Sequence, residues 1–179
     1  MPEGWEWVTQ AIGGMGMIFG ILSFQAKSSK KLLILASIAN VFWAIHYTCL
    51  TAYVGILLNL MAMVRNLIYN EISKSESRKK THVALFFVGV TITVSLLGYQ
   101  DWRSILPMIG SVVDSLAFAI KDANKIRKIT LISSPLWMTY NLLSGSIVGT
   151  CTELFYITSK IVGIIRYRNH VEIVDRTAE

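Results

Sequence analysis

Charge is what this sequence has little of. Charged residues make up 16% of the 179-residue chain, where a soluble domain carries about 25%. Apolar residues take 53%, and the mean hydropathy is +0.51. Such a chain is expected to have lipid as much of its solvent. Cysteine is scarce too. Cys49 and Cys151 cannot build a disulfide framework; one bridge between them competes with two packed thiols, and the thiols are the expectation. Zinc-ligand spacing, a glycine-rich phosphate loop, a nucleophile elbow and an HExxH pair are all missing. No catalytic centre, metal site or cofactor is therefore expected. The opening residues "MPEGWEW" are acidic and lack a positive n-region, so the first helix is expected to be retained rather than cleaved.

What the chain does have is a set of long apolar runs. A bilayer core of about 30 Å needs about 20 apolar residues per helix. Seven spans are expected, at 7–26, 32–50, 53–70, 82–99, 104–121, 128–144 and 147–166. Spans two and three, and six and seven, run together with a small or polar break at Thr51 and at Gly145, so each pair reads as a tight helical hairpin. The 17 Lys and Arg exceed the 11 Asp and Glu, a net charge of +6. These basic residues sit between apolar runs, which points to topology rather than nucleic acid. Lys27, Lys30 and Lys31 follow span one; Lys74, Arg78, Lys79 and Lys80 follow span three; Lys121, Lys125, Arg127 and Lys128 follow span five; Arg166 and Arg168 follow span seven. Only Arg103 lies on the other side. The positive-inside rule then puts the N-terminus outside and the C-terminus in the cytoplasm, with Trp5, Trp7, Tyr53, Tyr99 and Trp102 as an outer aromatic belt.

Sliding the chain by 94 residues onto itself aligns 24–60 with 118–154 without a gap. Phe24 meets Phe118, Lys27 meets Lys121, Lys31 meets Lys125, Ile38 meets Ile132, Trp43 meets Trp137, Val54-Gly55 meets Val148-Gly149 and Leu60 meets Leu154; Gly16 also meets Gly110 upstream. A three-helix unit ends on the side opposite its start, so a second unit in the same orientation needs one extra crossing. The expected fold is an all-α membrane protein with seven transmembrane helices. Two parallel three-helix-bundle repeats, 5–70 and 104–168, are joined by a linker helix at 82–99 (3+1+3), and a cytoplasmic tail follows at 169–179.

The stretches "SFQAKSSKKLLILASIANVFWAIHY", "TAYVGILLNLMAMVRNLIY" and "SLAFAIKDANKIRKI" carry a resemblance. The layout resembles the SWEET, SemiSWEET and PQ-loop transporter superfamily. The chain as a whole, over about 8–168, is more similar to the YgjV-type bacterial inner-membrane proteins. The resemblance implies a substrate-facing Trp on the second helix and Asn on the third helix of each unit. Those positions fall on Trp43 with Asn59, and on Trp137 with Glu153. The sequence departs from the pattern where the PQ motif's proline would stand, at Phe24-Gln25, and again where Ala119 matches Gln25.

The spacing agrees. Trp43 and Asn59 straddle Thr51, and Trp137 and Glu153 straddle Gly145, eight residues each way. At 1.5 Å per residue that is about 12 Å from each turn, so the four side chains share one depth. Trp offers a stacking face and one N–H donor, Asn a donor and an acceptor, Glu a charge or a proton. A carboxyl at membrane depth costs about 2.5 kcal/mol or more, so Glu153 should face the bundle interior. Asn40, Arg65, Asp114, Asn141 and Lys160 are candidates for the cavity or a charge network around it. Asp114 reads as the counter-charge of Lys160 or Arg65, and snorkelling to the interface is the alternative for both cations. His46 reads as a satisfied interfacial group. Asn66 and Ser134 serve either the cavity or helix–helix hydrogen bonds, and Gly13, Gly14, Gly16 and Gly20 suit close packing.

The expected function is a small-solute transporter in the bacterial inner membrane, working by alternating access, with the solute stacked between the two tryptophans and held by Asn59 and Glu153. Its partners would be that solute and the lipid bilayer, with no nucleic acid. A membrane scaffold, or a lipid- or ligand-binding sensor without flux, is the alternative. An intramembrane enzyme has no motif to support it.

Overall fold

The computed structural model describes residues 5–72 and 77–167, with backbone alone for 77–79. Lys74, Arg168, the side chains of Arg78 and Lys79, and the expected tail at 169–179 lie outside the described residues. Among the described residues there are seven α-helices and no strand. They are α1 (Trp5–Gln25), α2 (Ser29–Cys49), α3 (Tyr53–Glu71), α4 (Ser77–Leu97), α5 (Ile105–Phe118), α6 (Ala123–Leu143) and α7 (Ile147–Arg166), with a 3₁₀ turn at Trp102–Ser104 before α5.

Local chemistry sets the boundaries. Ser28 caps α2 by accepting from the Lys31 N–H, and Asp122 caps α6 by accepting from Asn124 and Lys125, satisfying first-turn donors that have no partner in the helix. Both helices therefore start earlier than their apolar runs. α6 begins at Ala123 rather than 128, so Arg127 lies within its second turn. α5 ends at Phe118, three residues short of the expected 121. At 1.5 Å per residue it is only about 21 Å long.

The α2–α3 and α6–α7 hairpins turn in the same way. Thr51 and Gly145 each sit at positive φ, 53° and 73°. In the first turn Ala52 N–H donates to Tyr47 C=O and Thr51 N–H to Thr48 C=O; in the second Ser146 donates to Asn141 and Gly145 to Leu142. This is the Schellman pattern, which satisfies the last carbonyls of a helix. Gly145 adopts it freely, whereas Thr51 must hold its Cβ against the following carbonyl.

Burial runs inside out. Leu85, Phe86, Leu97, Ile132, Leu142, Ile147 and Ile165 are exposed, while Ser23, His46, Arg65, Asn66, Thr91, Arg127, Ser134, Asn141 and Lys160 are buried. An apolar exterior around a polar interior is a bundle built for lipid. Four helices are long and apolar enough to cross a membrane: α1, α2, α4 over Lys80–Leu97, and α7. α3 and α6 fall short because they carry charged and amide side chains, and α5 because it is short.

α1 packs against α2 and α7, α3 against α2, α4 and α5, and α6 against α5 and α7. One end of the bundle gathers the two hairpin turns and the α4–α5 link. There Gln100 reaches the Thr51 carbonyl and Arg103 the Leu143 carbonyl. Asp101 accepts from the Arg103 backbone and pairs with its guanidinium, which holds the half-buried carboxyl below its ordinary range. Trp5, Trp7, Tyr53, Tyr99 and Trp102, the aromatic set expected as a belt, are all exposed. The other end gathers the α1–α2 link, the α5–α6 link and the end of α7, where Arg127 donates to the Phe24 and Ala26 carbonyls. Arg127 is thus wholly buried, a structural clamp rather than the solvated loop cation expected from its neighbours. Cys49 and Cys151 are both free, and Cys151 is exposed rather than packed.

Candidate functional site

One cavity of about 110 Å³ lies between α1–α3 and α5–α7. Trp43, Asn59, Trp137 and Glu153 line it, and so do Asn40, Arg65, Asp114, Asn141 and Lys160. Nine residues singled out on five helices thus meet at one space. Small residues let the aromatic walls in. A Cβ on Gly16 would meet Trp43 Nε1 at 2.9 Å, and one on Gly110 would meet Trp137 Nε1 at 3.1 Å.

The aromatic wall differs from the expected pair of facing tryptophans. The Tyr47 ring stands between them, 6.0 Å from the Trp43 ring and 6.4 Å from that of Trp137. Its hydroxyl donates to Asn141 Oδ1 at 2.6 Å. Trp43 Nε1–H is taken by Tyr156 Oη at 3.2 Å, and that hydroxyl donates to the Gly16 carbonyl at 3.0 Å. Tyr47 and Tyr156 were both absent from the sequence-derived set. Their signal was faint: Tyr47 stands one turn beyond Trp43 and Tyr156 one turn beyond Glu153. Tyr47 and Asn141 are also 94 residues apart, the repeat offset, but as different residue types they left no identity to notice.

The charged groups do not pair as expected. Among the described residues Asp114 forms no ion pair with Lys160 or Arg65. It accepts instead from Ser133 Oγ at 2.6 Å. Lys160 Nζ donates to the Thr130 carbonyl at 3.0 Å and to Ser134 Oγ at 2.6 Å, and lies 4.6 Å from the Phe24 ring centroid. Ser134 and Glu153 line the same cavity. Arg65 donates to Ser115 Oγ at 2.8 Å and to Asn66 Oδ1, and lies 5.1 Å from the Phe118 ring centroid. Lys160 is 3% exposed and Arg65 1%, so neither cation snorkels. Each sits over a ring that is the other's repeat counterpart, Phe24 and Phe118. Asn59 spends one amide donor on the Gly55 carbonyl of its own helix. Asn66 does not line the cavity; it holds Arg65.

Pro135 sits inside α6 and has no N–H to give the Leu131 carbonyl. The hydroxyls that hold the charges, Ser133 and Ser134, come just before it, and the Thr130 carbonyl bonded to Lys160 lies one turn back.

Hydrogen bonds cross from α1–α3 to α5–α7 at both ends of the cavity. Towards the hairpin turns, Tyr47 bonds Asn141. His46 is also fully buried there rather than interfacial, with Nδ1 on the Thr9 carbonyl and Nε2 on Ser146 Oγ, both at 2.9 Å. The carbonyl can only accept, so Nδ1 carries the proton. At the opposite end Gln25 Nε2 donates to the carbonyl and hydroxyl of Ser159, both at 2.8 Å, and Tyr167 donates to the Gln25 carbonyl at 3.1 Å. Of the small-residue set, Gly13 and Gly20 are pressed by Val148, His46 and Tyr156, while Gly14 faces open space. No group of His, Cys, Asp and Glu among the described residues has the arrangement of a metal site.

The family model described as a bacterial inner membrane protein, Imp-YgjV, matches residues 7–170. Among curated proteins, the chain is 22% identical over 161 residues to "Inner membrane protein YgjV" of Escherichia coli (strain K12), an alignment covering 90% of this chain and 85% of that one. No solved structure matches it. With its apolar exterior, polar interior and near-full-length family match, the chain is a multi-pass inner-membrane protein and belongs to the YgjV family of bacterial inner membrane proteins.

Proposed function

We propose that the protein is a small-solute transporter that works by alternating access, with its binding site in the cavity lined by Trp43, Asn59, Trp137 and Glu153. The observation that carries this is the convergence of both charge signs, amides and aromatic faces on one buried space between two halves of the chain. A scaffold has no use for ionisable groups in such a place, since each costs about 2.5–3.5 kcal/mol at membrane depth.

Alternating access needs two bodies that rock about the site. Here they are α1–α3 and α5–α7, parallel repeats joined by α4, all seven helices spanning the bilayer. The packing supports this. Shifted by one repeat, α1 on α2 becomes α5 on α6, α2 on α3 becomes α6 on α7, and α1 on α7 becomes α5 on α3. α4 touches α3 and α5 and has no counterpart. The two Schellman turns, the Gly16–Trp43 and Gly110–Trp137 contacts and the paired cations over Phe24 and Phe118 support the same symmetry. The resemblance to the SWEET-like transporters belongs with it, although no proline marks either hinge. Lys27, Lys30, Lys121, Lys125 and Arg166 at the far end from Arg103 support a cytoplasmic end there and an outside N-terminus.

The bonds at the two ends then act as alternate latches. Opening outwards breaks Tyr47–Asn141 and His46–Ser146 and lets Tyr47 leave the gap between the tryptophans. Opening inwards breaks the Gln25–Ser159 set. The second repeat has Ala119 in place of Gln25, so the glutamine latch is one-sided, between α1 and α7, and Arg127 of α6 adds its bonds to the Phe24 and Ala26 carbonyls at the same end. A cavity that offers Glu153 and Asp114 beside Lys160 and Arg65 suits a charged or dipolar solute, or one carried with a proton on Glu153, better than a neutral one.

Uptake into proteoliposomes of a radiolabelled panel of sugars, amino acids and polyamines tests this. For the transported class, Glu153→Gln and Trp137→Ala are expected to lower flux about 10–100-fold, the weight of a lost contact to a charged group at roughly 1.5–3 kcal/mol. Unchanged flux in both variants would mean that the site is elsewhere.

A further inference from the structure

A second concavity lies on the membrane-facing surface between α4 and α5, remote from the central cavity. It is a groove of about 490 Å³ lined by Lys80, Ala84, Leu85, Leu116, Ile120 and Lys121 among others. The floor is apolar, and Leu85 and Leu116 are 60% and 46% exposed along it. At its mouth two cations meet. Lys80, near the start of α4, and Lys121, just past the end of α5, both line the groove and feel each other's charge. Among the described residues no carboxylate lines the groove. The nearest acid in sequence, Asp122, is committed to the first turn of α6, accepting from Asn124 and Lys125.

Two ammonium groups held together at the edge of a bilayer repel unless an anion sits between them. They stand at the end of the bundle that carries the other basic residues, at the height of lipid headgroups. The apolar floor descends from them along α4 and α5, which a free inorganic anion would leave bare and an acyl chain would cover. We infer that this groove is a binding site for a phospholipid with an anionic headgroup, its phosphate between Lys80 and Lys121 and one acyl chain along Leu85 and Leu116. Basic pockets between helices at the headgroup level recognise lipids in this way. The site also bridges α4 to α5, so a bound lipid would fasten the linker helix to the second half of the chain. It does not depend on the transporter proposal.

The test is native mass spectrometry of the full-length protein in detergent, titrated with phosphatidylglycerol or phosphatidylcholine. Each lysine at the membrane surface contributes roughly fivefold to anionic-lipid binding, so the pair predicts a preference for phosphatidylglycerol of about 25-fold. Lys80→Gln with Lys121→Gln should abolish the preference, and Lys80→Arg with Lys121→Arg, which keeps both charges, should preserve it. Equal retention of the two lipids overturns the inference, as does a preference that survives the glutamine pair. Displacement of phosphatidylglycerol by inorganic phosphate, beyond that caused by chloride at equal ionic strength, would make it a simple anion site and overturn it too.

Discussion

Thr51 holds a conformation that its side chain resists. Left-handed backbone costs a residue with a Cβ about 1–2 kcal/mol, and Thr51 adopts φ 53° at the position where the second hairpin has Gly145. Thr51→Gly is therefore expected to stabilise the protein by about 0.5–1 kcal/mol, the relief of strain being partly offset by the freer unfolded chain. Gly145→Val should destabilise it by at least as much. Both are read from thermal unfolding in detergent, and a destabilising Thr51→Gly would contradict the shared turn geometry. At this scale the sequence was legible where a residue type is costly in lipid. Glu153, Lys160, Arg65 and Asp114 stood out because charge is rare in the apolar runs, and all four line the cavity. Their partners were not legible. Serines and carbonyls of α6 take the bonds that ion pairs were expected to make, and serine carries no positional signal in a membrane helix because its hydroxyl can always return to its own backbone.

Helix α1 shows how an element sets the site. Its glycines are not equivalent. A Cβ on Gly20 would lie 1.9 Å from Tyr156 Oη, whereas Gly14 has nothing within 4 Å. Gly20→Ala is expected to push Tyr156 off both Trp43 and the Gly16 carbonyl. That costs about 1–3 kcal/mol in stability, because buried polar groups lose partners. Gly14→Ala should be neutral or stabilising by up to about 1 kcal/mol from helix propensity. Chemical denaturation of the two variants side by side checks this, and equal effects would contradict the packing of α1 on α7. Helix existence was legible from apolar run length, and both hairpins from their breaks. The ends of α5 and α6 were not, because Asp122 caps α6 six residues before its apolar run begins. Arg127 was misread for the same reason: a basic residue next to loop lysines looks solvated until the capped turn carries it under the α1–α2 link.

For the whole molecule, the sequence shows a self-match at an offset of 94 residues, from Phe24 with Phe118 to Leu60 with Leu154. One bond in the structure spans the same offset and no identity could flag it: Tyr47 donates to Asn141, 94 residues further along. The apolar exterior follows from composition, whereas the hydrogen bonds that cross between the halves at the two ends of the cavity depend on individual side chains and could not be read in advance. The central claim is that the cavity opens to each side of the membrane in turn, and one accessibility measurement tests it without knowledge of the solute. Ala62 lines the cavity one turn from Asn59. With Cys49 and Cys151 replaced by serine, Ala62→Cys provides a single thiol inside it. A membrane-impermeant maleimide is then applied to right-side-out and inside-out vesicles. Alternating access predicts labelling from both sides, slowed on each side by cross-linking the helix ends of that same side and not by cross-linking those of the other; labelling from one side only, or from neither, would contradict it.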